Sequence, residues 1–232
     1  KYLILHYTGM EDASTARDWL CNRESRVSCH YLVDESGFIT QMVDEDLRAW
    51  HAGVSEWRGE SDLNSLSLGI EIQNQGHTLS YTCFPRKQMS AVAALCRDIL
   101  ARNPIEGRNV LAHSDIAPMR KIDPGELFDW AFLHNHGIGH WVEAEAIGGG
   151  PFLQAGDRGQ PVEALQAMLR LYGYGIENSG TFDPLTVAVV KAFQRHFRPS
   201  RVDGVADIST VATLHKLIGS LGEPEPQGLR HS

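Results

Sequence analysis

The chain has 232 residues, 42% of them hydrophobic and 22% charged, with a formal net charge of −8 at pH 7. That length allows one large domain or two smaller ones with real cores. The acidic balance argues against a nucleic-acid binder, which needs a basic stripe to meet phosphates, and no apolar run reaches transmembrane length.

The chain opens on a strand-like segment without Met or a signal peptide, so an export or anchor segment is expected to have been removed ahead of Lys1. Residues 2–6 read as a short apolar strand ending on His6, and Ser14 is a plausible N-cap for the helix that follows. His30 to Asp34 and Phe38 to Val43, joined through Gly37, predict a β-hairpin. Segment 66–74 alternates, with Leu66, Leu68, Ile70 and Ile72 on one side and Ser67, Gly69, Glu71 and Gln73 on the other. Period two predicts a strand with one buried face, leaving Glu71 on the polar face. Met89, Val92, Cys96 and Ile99 predict a helix over 86–102, and residues 110–113 a further short strand ending on His113. The cysteines Cys21, Cys29, Cys83 and Cys96 form no C-x-x-C pair and are expected to be free, buried thiols.

Composition shifts near Ile147-Gly-Gly-Gly-Pro. Beyond it, Val162, Leu165, Leu169 and Tyr172 form one apolar helical face. Val187, Val190, Phe193 and Phe197 form a second, and Val211, Leu214, Ile218 and Leu221 a third. The expected fold class is therefore α/β: a mixed central β-sheet flanked by helices over 1–146, a linker over 147–156, and a small three-helix domain over 157–221. Residues 222–232, polar with two prolines, are expected to be a disordered tail. No internal repeat is legible.

His6 and His113 both end apolar strands, and ligands gather at the carboxyl ends of strands in open α/β sheets. With Asp123 they offer two imidazoles and a carboxylate, the donor set of a catalytic zinc that keeps a position open to water. Zinc would lower the pKa of a bound water to about 7 and polarise a carbonyl oxygen. Amide hydrolysis also needs a carboxylate to move the water's proton and a cation to meet the oxyanion. Glu71 is the candidate for the first. Lys121 is the candidate for the second, because residues two apart on an extended segment point to the same side, here that of Asp123. His30 and His51 are expected to orient neighbours or touch substrate. The cluster His134-Asn-His136-Gly-Ile-Gly-His140 reads as a helix end with exposed imidazoles, Gly137 capping the helix.

Six segments, in order, resemble the type 2 N-acetylmuramoyl-L-alanine amidases, a family of zinc hydrolases. They are Leu5-His6-Tyr-Thr, Val27-Ser-Cys-His-Tyr-Leu-Val-Asp-Glu-Ser-Gly, Asp46-Leu-Arg-Ala-Trp-His-Ala-Gly53, Ser67-Leu-Gly-Ile-Glu71-Ile-Gln-Asn, His113-Ser-Asp-Ile-Ala-Pro and Arg120-Lys-Ile-Asp-Pro-Gly125. The resemblance implies zinc on His6, His113 and Asp123, with Glu71 as the catalytic carboxylate and Lys121 as transition-state partner. Asp123 stands where some relatives have Cys, which implies the bacterial side of the family. Cys29 stands where some have Tyr, which leaves the proton transfers to Glu71. Leu165-Gln, Gly173-Tyr, Gly180-Thr-Phe-Asp, Ala192-Phe-Gln and Asp203-Gly look like a three-helix peptidoglycan-binding domain.

The combination looks nearest to the envelope amidase D group of Gram-negative bacteria. That implies a periplasmic enzyme acting on peptidoglycan or muropeptides, and a lipid anchor to the outer membrane that would precede this chain. The expected reaction is cleavage of the amide between N-acetylmuramic acid, or its 1,6-anhydro form, and the stem-peptide L-alanine. The expected role of the second domain is to concentrate the enzyme on the insoluble polymer. The rival expectations are a recognition protein that binds without cutting, and a zinc peptidase that cuts within the stem. Loss of a zinc ligand would mark the first rival, and all three ligand types are present.

Overall fold

A computed structural model of the chain describes residues 1–222. The expected tail, apart from Gly222, lies outside the described residues. Five strands make one mixed sheet in the order β3-β2-β4-β1-β5. They are β1 (Tyr2–Tyr7), β2 (Tyr31–Val33), β3 (Ile39–Gln41), β4 (Ser67–Ile72) and β5 (Val110–Ala112). β1 runs parallel to both β4 and β5, β2 runs parallel to β4, and β3 closes the predicted hairpin antiparallel to β2. The helices of this half are α1 (Ala13–Cys21), α2 (Leu63–Leu66), α3 (Arg86–Arg102), α4 (His113–Ile116) and α5 (Trp130–His134). Then follow α6 (Gln160–Tyr172), α7 (Pro184–Phe197) and α8 (Ile208–Gly219).

Asp12, not Ser14, caps α1: its carboxylate accepts from the Thr15 amide at 2.7 Å, and the Ser14 hydroxyl donates to the same oxygen. A carboxylate also suits the positive end of the helix dipole.

The central strands bury both faces, as expected of parallel strands. On one face Leu3, Leu5, Ile70 and Val110 pack against Met89, Val92, Cys96 and Ile99 of α3. The opposite face carries Tyr2, Ile4 and His6 of β1 in register with Ser67, Gly69 and Glu71 of β4. The predicted polar face of β4 is therefore not a solvent face, since Ser67 and Gly69 are buried. It lies against a second layer, formed by the segment around His51 and by the C-terminal helices.

That layer makes the two halves continuous. Tyr2, Ile4, Trp57, Leu63, Leu111 and Ile116 belong to the same apolar cluster as Leu165, Leu169, Tyr172, Phe193, Phe197 and Leu214. Trp57 is fully buried, edge-on to Tyr172 and Tyr174, and the Arg58 amide donates to the Gly173 carbonyl at 2.8 Å. A Cβ on Gly173 would lie 2.5 Å from the Trp57 ring, so only glycine admits this contact.

Although no repeat is legible in the sequence, the C-terminal helices use one device twice. Gln166 of α6 accepts from the Gly180 amide and donates to Thr186, which follows the N-cap Asp183 of α7. Gln194 of α7 accepts from the Gly204 amide and donates to Thr210, which follows the N-cap Asp207 of α8. A buried glutamine with its amide satisfied in this way fixes each helix to the turn before the next.

The thiols and the histidine cluster also depart from expectation. The cysteines are free, but Cys21 and Cys83 are exposed, and only Cys29 and Cys96 are buried. In the histidine cluster only His136 is exposed. His140 is held between the Tyr172 hydroxyl and the Ser220 hydroxyl, each at 2.9 Å, because the chain turns back there onto α6 and α8.

Candidate metal centre

β1 and β5 are neighbours, so their C-terminal ends deliver His6 and His113 to one place. Arg120 to Asp123 return across the top of the sheet, anchored where the Ser114 amide donates to the Asp123 carbonyl at 3.0 Å. The three side chains are buried, and one ligand atom from each lies within 4.8 Å of the others. His6 Nδ1 is 2.9 Å from His113 Nδ1 and 3.2 Å from Asp123 Oδ2, and His113 Nδ1 is 3.0 Å from the same oxygen.

The outer partners of the rings fix which nitrogens carry protons. His113 Nε2 faces the Ala52 carbonyl at 3.1 Å, an acceptor only, so Nε2 is the donor and Nδ1 presents a lone pair. For His6 the assignment runs through two more residues. The Ser67 hydroxyl gives its hydrogen to the Leu63 carbonyl and so accepts from His51 Nε2 at 3.3 Å. His51 Nδ1 is then an acceptor, taking the proton of His6 Nε2 at 3.0 Å. His6 Nδ1 is left with a lone pair as well. Two imidazole lone pairs and a carboxylate oxygen thus converge in a buried space, where they repel one another unless a cation joins them. The donor set fits zinc, and the outer hydrogen bonds are those that orient metal-ligating histidines.

Burial, then the neighbouring His113, pushes the His6 pKa down to about 4. Burial also drives His51 well below the ordinary histidine range, with His6 adding to the effect. Both rings are neutral at pH 7, as metal ligation and the relay require. Burial alone would raise Asp123, yet positive charge shared with the adjacent His113 and His6 holds it far below the usual carboxylate range.

Glu71 is the register partner of His6 on β4, so the two side chains leave the same face of the sheet. Its Oε2 is buried without a hydrogen-bond partner among the described residues. Burial, then the Asp123 charge, raises its pKa well above the usual value, against the pull of Lys121. Glu71, Lys121, His113 and Asp123 all line a single cavity of about 490 Å³, walled by Tyr7, Trp19 and Trp50 among others. All five residues singled out from the sequence are thus brought to one place.

His30 lies outside the cavity lining: its Nδ1 accepts from the Gly69 amide at 3.0 Å and its Nε2 donates to the Leu47 carbonyl at 3.0 Å, cross-linking β4 to the loop before His51. The support of His113 by Ala52 was not legible in the sequence, because it comes from a backbone carbonyl. Arg120 was missed too. Its guanidinium donates to the Ala52 and Val54 carbonyls and holds that segment in place. Its position next to Lys121 in the Arg-Lys-Ile-Asp segment was the available signal.

Comparisons with known proteins give the chain's family and its fold relatives. Residues 1–126 match the family described as N-acetylmuramoyl-L-alanine amidase, and residues 158–214 match a peptidoglycan binding domain family. The N-acetylmuramoyl-L-alanine amidase AmiD of Escherichia coli is 39% identical across 96% of this chain and 84% of its own length. The solved structure of that enzyme in complex with the substrate anhydro-N-acetylmuramic acid-L-Ala-D-gamma-Glu-L-Lys superposes with a TM-score of 0.83 at 37% identity, covering 97% of this chain and 90% of that one. AmpDh3 from Pseudomonas aeruginosa, in complex with anhydromuramic pentapeptide, gives a TM-score of 0.79 at 31% identity over 95% of this chain and 91% of that one. From the fold, the convergent residues and these likenesses together, the chain belongs to the N-acetylmuramoyl-L-alanine amidase family.

Proposed function

We propose that the chain hydrolyses the amide joining N-acetylmuramic acid, intact or in its 1,6-anhydro form, to the L-alanine of the stem peptide. One observation carries the reading: two histidine lone pairs and a carboxylate oxygen converge beside a half-buried Glu71, whose Oε2 has no hydrogen-bond partner among the described residues, in a cavity that Lys121 also lines. His6, His113 and Asp123 would hold zinc, which supplies Lewis acidity toward a carbonyl oxygen and lowers the pKa of a water to about 7.

The remaining work falls to this chain's own groups. Glu71 takes the proton of the attacking water and delivers it to the departing alanine nitrogen. A carboxyl held above its ordinary pKa by burial keeps that proton long enough to deliver it. The Lys121 ammonium meets the negative charge that develops on the carbonyl oxygen. We further propose residues 1–146 as the catalytic unit and 157–221 as the unit that holds the polymer, acting on the periplasmic side of a bacterial envelope. No helix among the described residues is long and apolar enough to cross a membrane.

Mass spectrometry of digested muropeptides, with and without a chelator, tests the reading. Lactyl-sugar free of peptide together with an intact stem peptide, formed only without chelator, supports it. Shortened stems would point to a peptidase instead, and the absence of any product to a binder.

A further inference from the structure

Asp115, two residues after His113 in α4, is a fully buried carboxylate. From its own turn it accepts the Ala112 amide at 2.8 Å. Its other two donors come from the C-terminal helical unit: the Tyr174 hydroxyl at 2.8 Å and His196 Nδ1 at 2.7 Å. His196 is in turn fixed by stacking on Trp130 at 3.7 Å and on Phe197 at 3.9 Å. The neighbouring backbone of the same unit grips the other support of His113. Tyr174 pairs with Trp57, and the Glu56 amide donates to the Ile116 carbonyl at 2.8 Å, so α4 is bound to the 52–57 segment that supplies the Ala52 carbonyl.

We infer that Tyr174 and His196 are positioning residues of the metal centre, acting through Asp115 on the turn that presents His113. The inference builds on the proposed amidase centre, and it gives the C-terminal unit a second role besides holding polymer. A buried carboxylate stripped of its donors is costly. The turn relieves that cost by moving Asp115 toward water, and His113 moves with it.

Chelator competition on the full chain loaded with zinc tests this directly. Tyr174→Phe removes one hydroxyl, and His196→Phe keeps a stacked ring but loses the donor. Both should release zinc at a chelator concentration at least threefold lower than wild type. His196→Asn, which returns a donor near the place of Nδ1, should recover part of the loss. Leu214→Ala, a cavity in α8 of the same unit, serves as the control for general destabilisation and should release zinc as wild type does. The inference is overturned if the two clamp variants stay within threefold of wild type, or if Leu214→Ala shifts release equally. Should His196→Phe fail to fold, Tyr174→Phe decides alone. Turnover of a soluble anhydromuramyl peptide, where polymer binding is irrelevant, should fall in step with zinc release. A wild-type protein that holds zinc yet cleaves nothing would sink the proposed function while leaving the zinc comparison intact.

Discussion

At the scale of single residues, the site depends on which atom of each side chain faces inward. Glu71→Gln keeps the shape of the carboxylate but cannot accept and return a proton. It should retain zinc, read by metal analysis, and lose about 10²–10⁴-fold in turnover, the usual contribution of such a group. A loss within about tenfold would remove Glu71 from the proton transfers. His51→Phe makes the complementary test: it fills the ring's volume but offers His6 Nε2 no acceptor. Zinc affinity should drop by about 10–100-fold, as for other outer-sphere partners of metal-bound histidine, while the fold signature by circular dichroism stays unchanged. His6, His113 and Asp123 were legible in the sequence because strand ends and a turn advertise themselves through hydrophobic pattern and Pro-Gly. The relay from Ser67 through His51 was not. It joins residues 16 and 45 positions apart, and only the folded path of the loop over β4 brings them into contact.

At the scale of elements, β4 shows how far pattern can be trusted. Its period of two separated the faces correctly and put Glu71 with Ser67 and Gly69. Alternation cannot say what covers a polar face, however, and here the cover is protein: the His51 ring lies so close that a Cβ on Gly69 would be 2.5 Å from it. Gly69→Ala should therefore displace His51 and break the relay to His6. Overpacking of this kind costs about 1–3 kcal/mol, and the thermal midpoint should fall accordingly. Because the displaced ring is the one that orients His6, zinc retention should fall too. An alanine variant that lost stability but held zinc normally would show that the His51 contact is mere packing. The C-terminal helices were legible as three apolar faces. Their attachment was not, since the residues that dock them, Tyr172, Tyr174 and Phe193, look like ordinary core residues until Trp57 and Asp115 are seen opposite them.

At the scale of the whole molecule, neutral histidines are buried at the metal centre and half-buried where the two halves meet, and this sets the response to acid. Burial, with the nearby His134 adding to it, lowers His140 to about 4, and burial with His113 lowers His6 to about 4. Unfolded, both return to about 6.5. Between those values the unfolded chain binds more protons than the folded one, so stability rises with pH and is lost as pH falls from about 6.5 toward 4. Glu45 extends the same sign lower: burial opposes it, but Arg102, Tyr31 and Asn103 hold it at about 2. Melting curves in excess chelator, which removes metal linkage, should show the midpoint falling steadily below pH 6.5. Zinc should raise the midpoint at pH 7, because it binds only the folded triad, and that gain should itself shrink on acidification, because metal binding to protonatable ligands is pH-dependent. His140→Gln should flatten part of the metal-free slope without changing the zinc-dependent gain, since His140 touches Tyr172 and Ser220 and none of the three ligands. If the metal-free midpoint rose on going from pH 7 to 5, the buried histidines would not be neutral in the folded protein, and the tautomer chain that aims His6 at the metal would fall with them.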